Sequence, residues 1–351
     1  GIGSDRQTMM LDRVTAGPDR PRIALGAALA AVLGFVFFLL TVGAGVLDPG
    51  NIAWFDDGDA RTQLLGWAFF GREPWTVPPA AVHGYGGPVA SSIAYSDSLP
   101  LFALLLKPLA GLLPAISQIT GWWLALCFVL QAVFGYLLVG LVDRRLTVRI
   151  LGGCLFLLVP AFLFRATLHP SLCAHWLILA AIFLYFRPLS SSHLLFPLLL
   201  VAAGLAHIYL LAIVGGIWVA WLAAELLDRR PAGRVALDLV AGLAAVALGV
   251  WAAGYFTLVP TPGAGEFGLY PMNLLAPFDP AATLPQAGGA GDISAWSALM
   301  PDLPNGPGDY EGFNYLGLGG LLLSIVLLMA ALWRRPSVTV PRTLLPLLVM
   351  A

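Results

Sequence analysis

Charge is what this chain lacks most. Only 11% of its 351 residues are Asp, Glu, Lys or Arg, against roughly a quarter in a soluble globular domain. So few charges do not cover a water-facing surface, and 59% hydrophobic residues point the same way. Lysine is almost missing, with Lys107 the single one. Cysteine is scarce too. Cys127, Cys154 and Cys173 all lie in apolar runs without CxxC spacing, so neither a zinc site nor a disulfide framework is indicated. They read as packing residues. No Walker A, Rossmann glycine fingerprint, HExxH or GxSxG motif occurs, so nucleotide hydrolysis and dinucleotide chemistry lack support. No series of acids stands in mid-span, since Glu225 and Asp238 fall near span ends; that argues against a proton relay.

Long apolar runs are what the chain has instead. A bilayer crossing takes about 20 apolar residues as a helix. Runs of this kind cover about Ile23–Leu47, Gly121–Val142, Ile150–Phe164, Leu172–Phe186, Leu194–His207, Ile208–Leu227, Val235–Leu258 and Tyr315–Trp333, with another starting at Thr343. The expected fold is all-α, a polytopic transmembrane bundle of about eight spans plus a ninth cut short at Met350-Ala351. The first run is too long for a signal peptide and has no small-residue cleavage site, so it reads as a retained anchor. Residues 1–22 form a polar tail, and residues 23–351 form one membrane domain.

Basic residues fix the expected orientation. With the N-terminus in the cytoplasm, fourteen of the eighteen Lys and Arg fall inside, among them Arg22, Arg144, Arg145, Arg149, Arg229 and Arg230. Only Arg61, Arg72, Lys107 and Arg165 fall outside, together with twelve of the nineteen acids. Two long outer loops result, at about residues 48–118 and 259–314. The apolar stretch Leu99–Leu113 inside the first would invert every later turn if it crossed. It reads as re-entrant or interfacial, and irregular backbone at that depth needs protein or a water-filled cavity beside it. The second loop is rich in Pro and Gly, yet a loop of its length that carries Tyr270, Phe278 and Trp296 reads as functional.

The first loop concentrates the acids. It opens with Trp54-Phe55-Asp56-Asp57-Gly58-Asp59 and later carries Tyr95-Ser96-Asp97-Ser98-Leu99-Pro100. Residues 59–71 read as a short amphipathic helix with Leu64, Leu65, Ala68 and Phe69 on one face. Asp59 then either caps that helix or belongs to a site. Asp56 and Asp57 adjoin two aromatic residues at the membrane boundary. Poor solvation there would raise a carboxylate pKa and suit it to take a proton from a hydroxyl. Asp97 reads as the cap of the re-entrant helix, as an acid facing the same cavity, or as both.

Cations and histidines fall on the same side. Arg165 suits a phosphate through its paired donors, or snorkels at a helix end. His169 precedes Pro170 and belongs to a loop. His175 stands about one turn into the next span, and His207 and Tyr209 mark another outer turn. Lys107 offers a point charge to a phosphate or to one of the acids, or else snorkels. His83 and His193 take no role.

These features resemble the GT-C membrane glycosyltransferases, in wording closest to uncharacterised bacterial members. The likeness rests on Asp56-Asp57-Gly58-Asp59, the helix at 59–71, Ser96-Asp97-Ser98-Leu99-Pro100 before an apolar helix, and His207-Ile208-Tyr209. It covers most of the chain in topology, through short motifs. The soluble C-terminal domain common in that family is absent or cut off. The resemblance implies transfer of a sugar from a polyprenyl-phosphate donor to a glycan or lipid acceptor, with inversion, at the outer face of the bacterial inner membrane. It implies Asp57 as base, with Asp59 second and Asp56 beside them. Arg165, His169 and Lys107 would hold the lipid phosphate, with His175 at the same mouth. His207 and Tyr209 would line the donor pocket, and Asp97 would bind substrate. Some members use a divalent cation at the acidic motif; carboxylates alone fit Mg2+ or Mn2+, and no metal ligand is assigned. Membrane lipids are expected partners and nucleic acid is not. A transporter or flippase of a lipid-linked saccharide is the alternative, followed by a non-catalytic scaffold. The first of these predicts inverted repeats and midplane charges, neither of which stands out.

Overall fold

The computed structural model describes residues 20–55, 58–85, 90–186, 192–257, 274–278, 312–334 and 342–350. Asp56, Asp57, the tail before Arg20 and most of the second loop lie outside them. Among the described residues the helices are α1 (Arg20–Thr41), α2 (Gly58–Phe70), α3 (Pro100–Leu106), α4 (Thr120–Val139), α5 (Leu146–Leu155), α6 (Pro160–Leu168), α7 (Trp176–Phe186), α8 (Ser192–Ala206), α9 (Ile208–Leu227), α10 (Ala232–Ala252), α11 (Leu318–Arg334) and α12 (Leu345–Met350). Two-residue strands β1 (Ala81–Val82) and β2 (Ser91–Ser92) pair antiparallel. The class is all-α.

Among the described residues four helices are long and apolar enough to cross a membrane: Pro21–Thr41, Thr120–Val139, Ile208–Leu227 and Ala232–Ala252. A pair broken before Pro160 makes a fifth if read as one span. This is fewer than the eight expected. Proline and glycine shorten several runs. Gly43 at φ 98° separates α1 from a 3-10 turn at Ala44–Leu47, so the first helix ends at Thr41 and not at Leu47. Pro160 and Pro170 each open a new element, which a ring without an N–H permits only at a first turn.

Contacts divide the chain into two compact units. The smaller comprises residues 158–164 and 260–339. Within it, Phe164 packs on Phe313 with ring centroids 4.5 Å apart, and Leu316 N–H donates to Pro277 carbonyl at 3.1 Å. Gly317, at φ 82°, then leads into α11.

The larger unit is built on α1 and α4, which run antiparallel in close contact. A Cβ on Gly34 would lie 2.6 Å from the Phe128 carbonyl, so only glycine allows this approach. Small residues serve helix pairs in lipid in this way, because backbone proximity replaces the hydrophobic drive that water would supply. Phe38 meets Phe128 edge-on at 5.7 Å. Trp123, fully buried, donates to the Pro170 carbonyl at 2.8 Å.

The first long loop folds over one end of this unit. Gln118 amide donates to the carbonyls of Val46 and Asp48 at 2.7 and 2.9 Å. Arg72 reaches the Pro114 carbonyl at 2.9 Å. Ala80 N–H donates to Ala252 carbonyl at 3.1 Å, and Ser92 hydroxyl donates to Ala253 carbonyl. These bonds satisfy carbonyls that the C-terminus of α10 leaves over. The expected interfacial stretch is α3 followed by a 3-10 helix at Lys107–Leu112. At 1.5 Å per α-residue and about 2 Å per 3-10 residue it spans roughly 20 Å, too short for a ~30 Å core.

In α2 the buried stripe is Gln63, Gly66, Trp67 and Phe70. The apolar face expected at Leu64, Leu65, Ala68 and Phe69 points outward instead, with Leu65 and Phe69 exposed. Outward apolar residues suit a helix beside lipid. The inward face is used for a polar task described next.

Candidate functional site

The site is assembled where the loop meets α2, α4, α9 and the end of α10. Its centre is the turn Ser96-Asp97-Ser98. Asp97 and Leu99 both hold left-handed backbone, at φ 51° and 56°. Aspartate tolerates this conformation; leucine rarely adopts it. The turn is held there by its hydrogen bonds. Gln63 amide donates to the Asp97 carbonyl at 2.7 Å. Ser98 hydroxyl donates to the Gln63 carbonyl at 2.8 Å, and the Ser96 and Ser98 hydroxyls share a bond at 2.8 Å. Thr120, the first residue of α4, donates to the Gln63 side-chain oxygen at 3.1 Å. Gly66 leaves room for all of this: a Cβ there would sit 2.2 Å from both serine hydroxyls.

Asp97 does not cap α3. The cap position is Leu99 and no side chain bonds there. The Asp97 carboxylate turns instead to His207, whose Nε2 lies 3.3 Å from Oδ1. His207 is itself the N-cap of α9, and its Nδ1 accepts from Tyr209 N–H at 3.1 Å. With Nδ1 accepting, a neutral ring carries its proton on Nε2, the nitrogen that faces the carboxylate. The His207 side chain is 11% exposed and that of Asp97 35%. The imidazole is thus enclosed while the carboxylate keeps an open side.

Three tyrosines surround the pair. The Tyr209 ring lies 4.8 Å from that of His207, tilted by 59°. Tyr95 hydroxyl donates to Tyr255 carbonyl at 2.6 Å, and the two rings meet edge-on at 5.8 Å. Burial pushes the Tyr255 phenol up to about 12, and the nearby Asp97 charge adds to that push. Burial also raises Tyr95. Both remain neutral donors at physiological pH. A carboxylate, an imidazole N–H and phenols converging at a surface can bind hydroxyl-rich ligands and remove a proton from one.

The sequence-expected residues separate into groups. Asp97, His207 and Tyr209 come together. Arg165, in the last turn of α6, lies within electrostatic reach of His175. His169 is buried in the turn before the 3-10 helix Pro170–Cys173, as its place before proline implies. Asp59 falls in the first turn of α2, with its carboxylate outside the described atoms. Asp56 and Asp57 lie outside altogether.

Lys107, expected to meet a phosphate or an acid or else to snorkel, lies among aromatic rings. Its ammonium stands 3.8 Å from the centre of the Phe70 ring and 4.7 Å from that of Trp75, and donates to the Pro74 carbonyl at 3.3 Å. Burial lowers its pKa, against a smaller opposing effect of Glu73. These contacts tie Lys107 to Phe70, Pro74 and Trp75 within the first loop. Gln63, Tyr95 and Tyr255 are site residues the sequence reading passed over. For Gln63 a signal existed: it is the polar member of a stripe at i, i+3, i+4 and i+7. Among the described residues no three His, Cys, Asp or Glu side chains are grouped to hold a metal ion.

A family model described as a domain of unknown function, DUF6311, matches residues 31–351. No curated protein and no solved structure matches the chain.

Proposed function

The chain belongs to the DUF6311 family, and we propose that it is a GT-C-type glycosyltransferase. It moves a sugar from a polyprenyl-phosphate donor to an acceptor at the outer face of a bacterial inner membrane. The observation that carries this reading is the Asp97–His207 pair, 3.3 Å apart, at the end of the bundle that the long loop covers. His207 Nε2 stands beside one carboxylate oxygen and leaves the other for substrate. Asp97 takes the proton of the acceptor hydroxyl. The acceptor oxygen attacks the anomeric carbon, the bond from that carbon to the phosphate oxygen breaks, and its electron pair leaves on the polyprenyl phosphate. The configuration inverts. Tyr209 and Tyr255 meet sugar hydroxyls, and Arg165, His169 and His175 face the lipid phosphate. Asp57, Asp59 and Asp56 supply further carboxylates from the loop's other end. The shorter apolar helices complete about eight spans, with the N-terminus in the cytoplasm.

Removing a general base costs about 10²–10⁴ in rate. Asp97→Asn in liposomes bearing a radiolabelled polyprenyl-phosphate sugar should therefore lose transfer by such a factor while still binding donor. Full activity in Asp97→Asn with a dead Asp57→Asn would move the base to Asp57. Full activity in both would sink the mechanism. The same assay with EDTA reads dependence on Mg2+ or Mn2+.

A further inference from the structure

The end of α4 opposite the acidic turn carries a second polar feature. Thr120 at the start of α4 bonds Gln63 beside Asp97. Twenty residues later, about 30 Å away at 1.5 Å per residue, the helix ends against a cavity of about 490 Å³. Arg22 of α1, Arg144 of the following turn and Arg149 of α5 line it, with Tyr136, Leu25 and Leu146. No acid is among its described lining residues. The neighbouring Asp143 is engaged by Arg145 at 2.7 Å, and neither residue lines the cavity.

The arginines are placed, not scattered. Arg149 is buried and lies 3.9 Å over the ring of Tyr136. Gly140 makes this possible, since a Cβ there would be 2.6 Å from the guanidinium. Leu25 and Leu146 are 59% and 44% exposed, giving the cavity an apolar rim. Guanidinium forks match phosphate oxygens in pairs, and basic pockets between membrane helices take lipid headgroups.

We propose that this cavity binds the phosphate of an anionic phospholipid headgroup. Arg144 and Arg149 bond the phosphate oxygens, Arg22 closes over them from α1, and the acyl chains run along Leu25 and Leu146. The site is separate from the transfer reaction and stands or falls independently of it.

Native mass spectrometry of the full chain, released from nanodiscs of mixed phosphatidylglycerol and phosphatidylcholine, tests this. Wild type should retain phosphatidylglycerol in preference to phosphatidylcholine. Each arginine removed should weaken that retention about fivefold, the contribution of one basic residue near an anionic lipid surface. Arg22→Gln with Arg144→Gln keeps the buried Arg149–Tyr136 stack and so reads binding without disturbing the fold. Arg145→Gln should retain lipid as wild type does. Equal retention of the two lipids would overturn the proposal, as would an equal loss in Arg145→Gln. Displacement of the lipid by inorganic phosphate at matched concentration would also overturn it, assigning the cavity to a soluble phosphate.

Discussion

Gln63 and Asp97 are joined by a 2.7 Å hydrogen bond from side-chain amide to backbone carbonyl. Since Thr120 bonds the other end of the same amide, one uncharged side chain ties the acidic turn to both α2 and α4. The direction of the Asp97 carboxylate, and so its distance from His207, depends on that tie.

Gln63→Leu keeps the volume and removes both bonds. It leaves a buried carbonyl and a buried hydroxyl without partners, at about 1–3 kcal/mol for each group. The thermal midpoint in detergent should fall. Transfer should fall further than stability explains, because the carboxylate loses its aim. Gly66→Ala tests the same turn from the other side. A methyl group 2.2 Å from two serine hydroxyls must displace them, which costs about 1–3 kcal/mol in a packed core. Wild-type midpoint and rate in both variants would show that the turn is not held as described.

Tyr255 gives a pH prediction. Its phenol rises from 10.0 to about 12 on burial. The folded group therefore keeps its proton while the unfolded one loses it. Stability from this residue is whole below pH 10, declines as pH rises above it, and is gone past about 12. Phenolate absorbance should show one tyrosine titrating well after the exposed ones. In Tyr255→Phe the late step should vanish, and stability should decline less between pH 10 and 12. A titration curve that is the same in the variant would refute the assignment.

Helix class and the strongest spans were legible because they depend on local composition. Ile208–Leu227 falls where the apolar run places it, and Thr120–Val139 nearly so. Long-range contacts were not legible. The separation of 34 positions from Gln63 to Asp97 hides their bond from any local pattern. So does the separation of 110 positions from Asp97 to His207. The Asp97 motif invited a helix-cap reading because acid before Leu-Pro suits one locally; the left-handed backbone at Asp97 and Leu99 turns the carboxylate elsewhere. Lys107 invited a phosphate because its charge was visible and its aromatic neighbours, 37 and 32 positions away, were not.

Lys107→Met separates an anchor from a ligand. Cation–π contact in a desolvated setting contributes about 1–2 kcal/mol, so the midpoint should drop by that equivalent. Affinity for the lipid-linked donor should not change, since the ammonium faces Phe70, Trp75 and a carbonyl. A selective loss of donor affinity with an unchanged midpoint would restore Lys107 to the site.

Orientation is open to a direct chemical test at the two ends of α4. Ile116 lies just before the helix and is 60% exposed; Val142 lies just after it and is 92% exposed. They mark the acidic end and the arginine end. Native Cys127 and Cys173 are buried and Cys154 is half-buried, so a cysteine introduced at either position should dominate labelling once Cys154 is replaced by serine. Basic residues are retained on the cytoplasmic side, so the proposed orientation has Arg144, Arg145 and Arg149 inside and the long loop outside. A membrane-impermeant maleimide added to intact cells should therefore label Ile116→Cys at once and Val142→Cys only after permeabilisation. The reverse pattern would put the Asp97–His207 pair in the cytoplasm, where a nucleotide-linked sugar and not a polyprenyl-linked one would be the donor at hand, and the proposed reaction would fail with the topology.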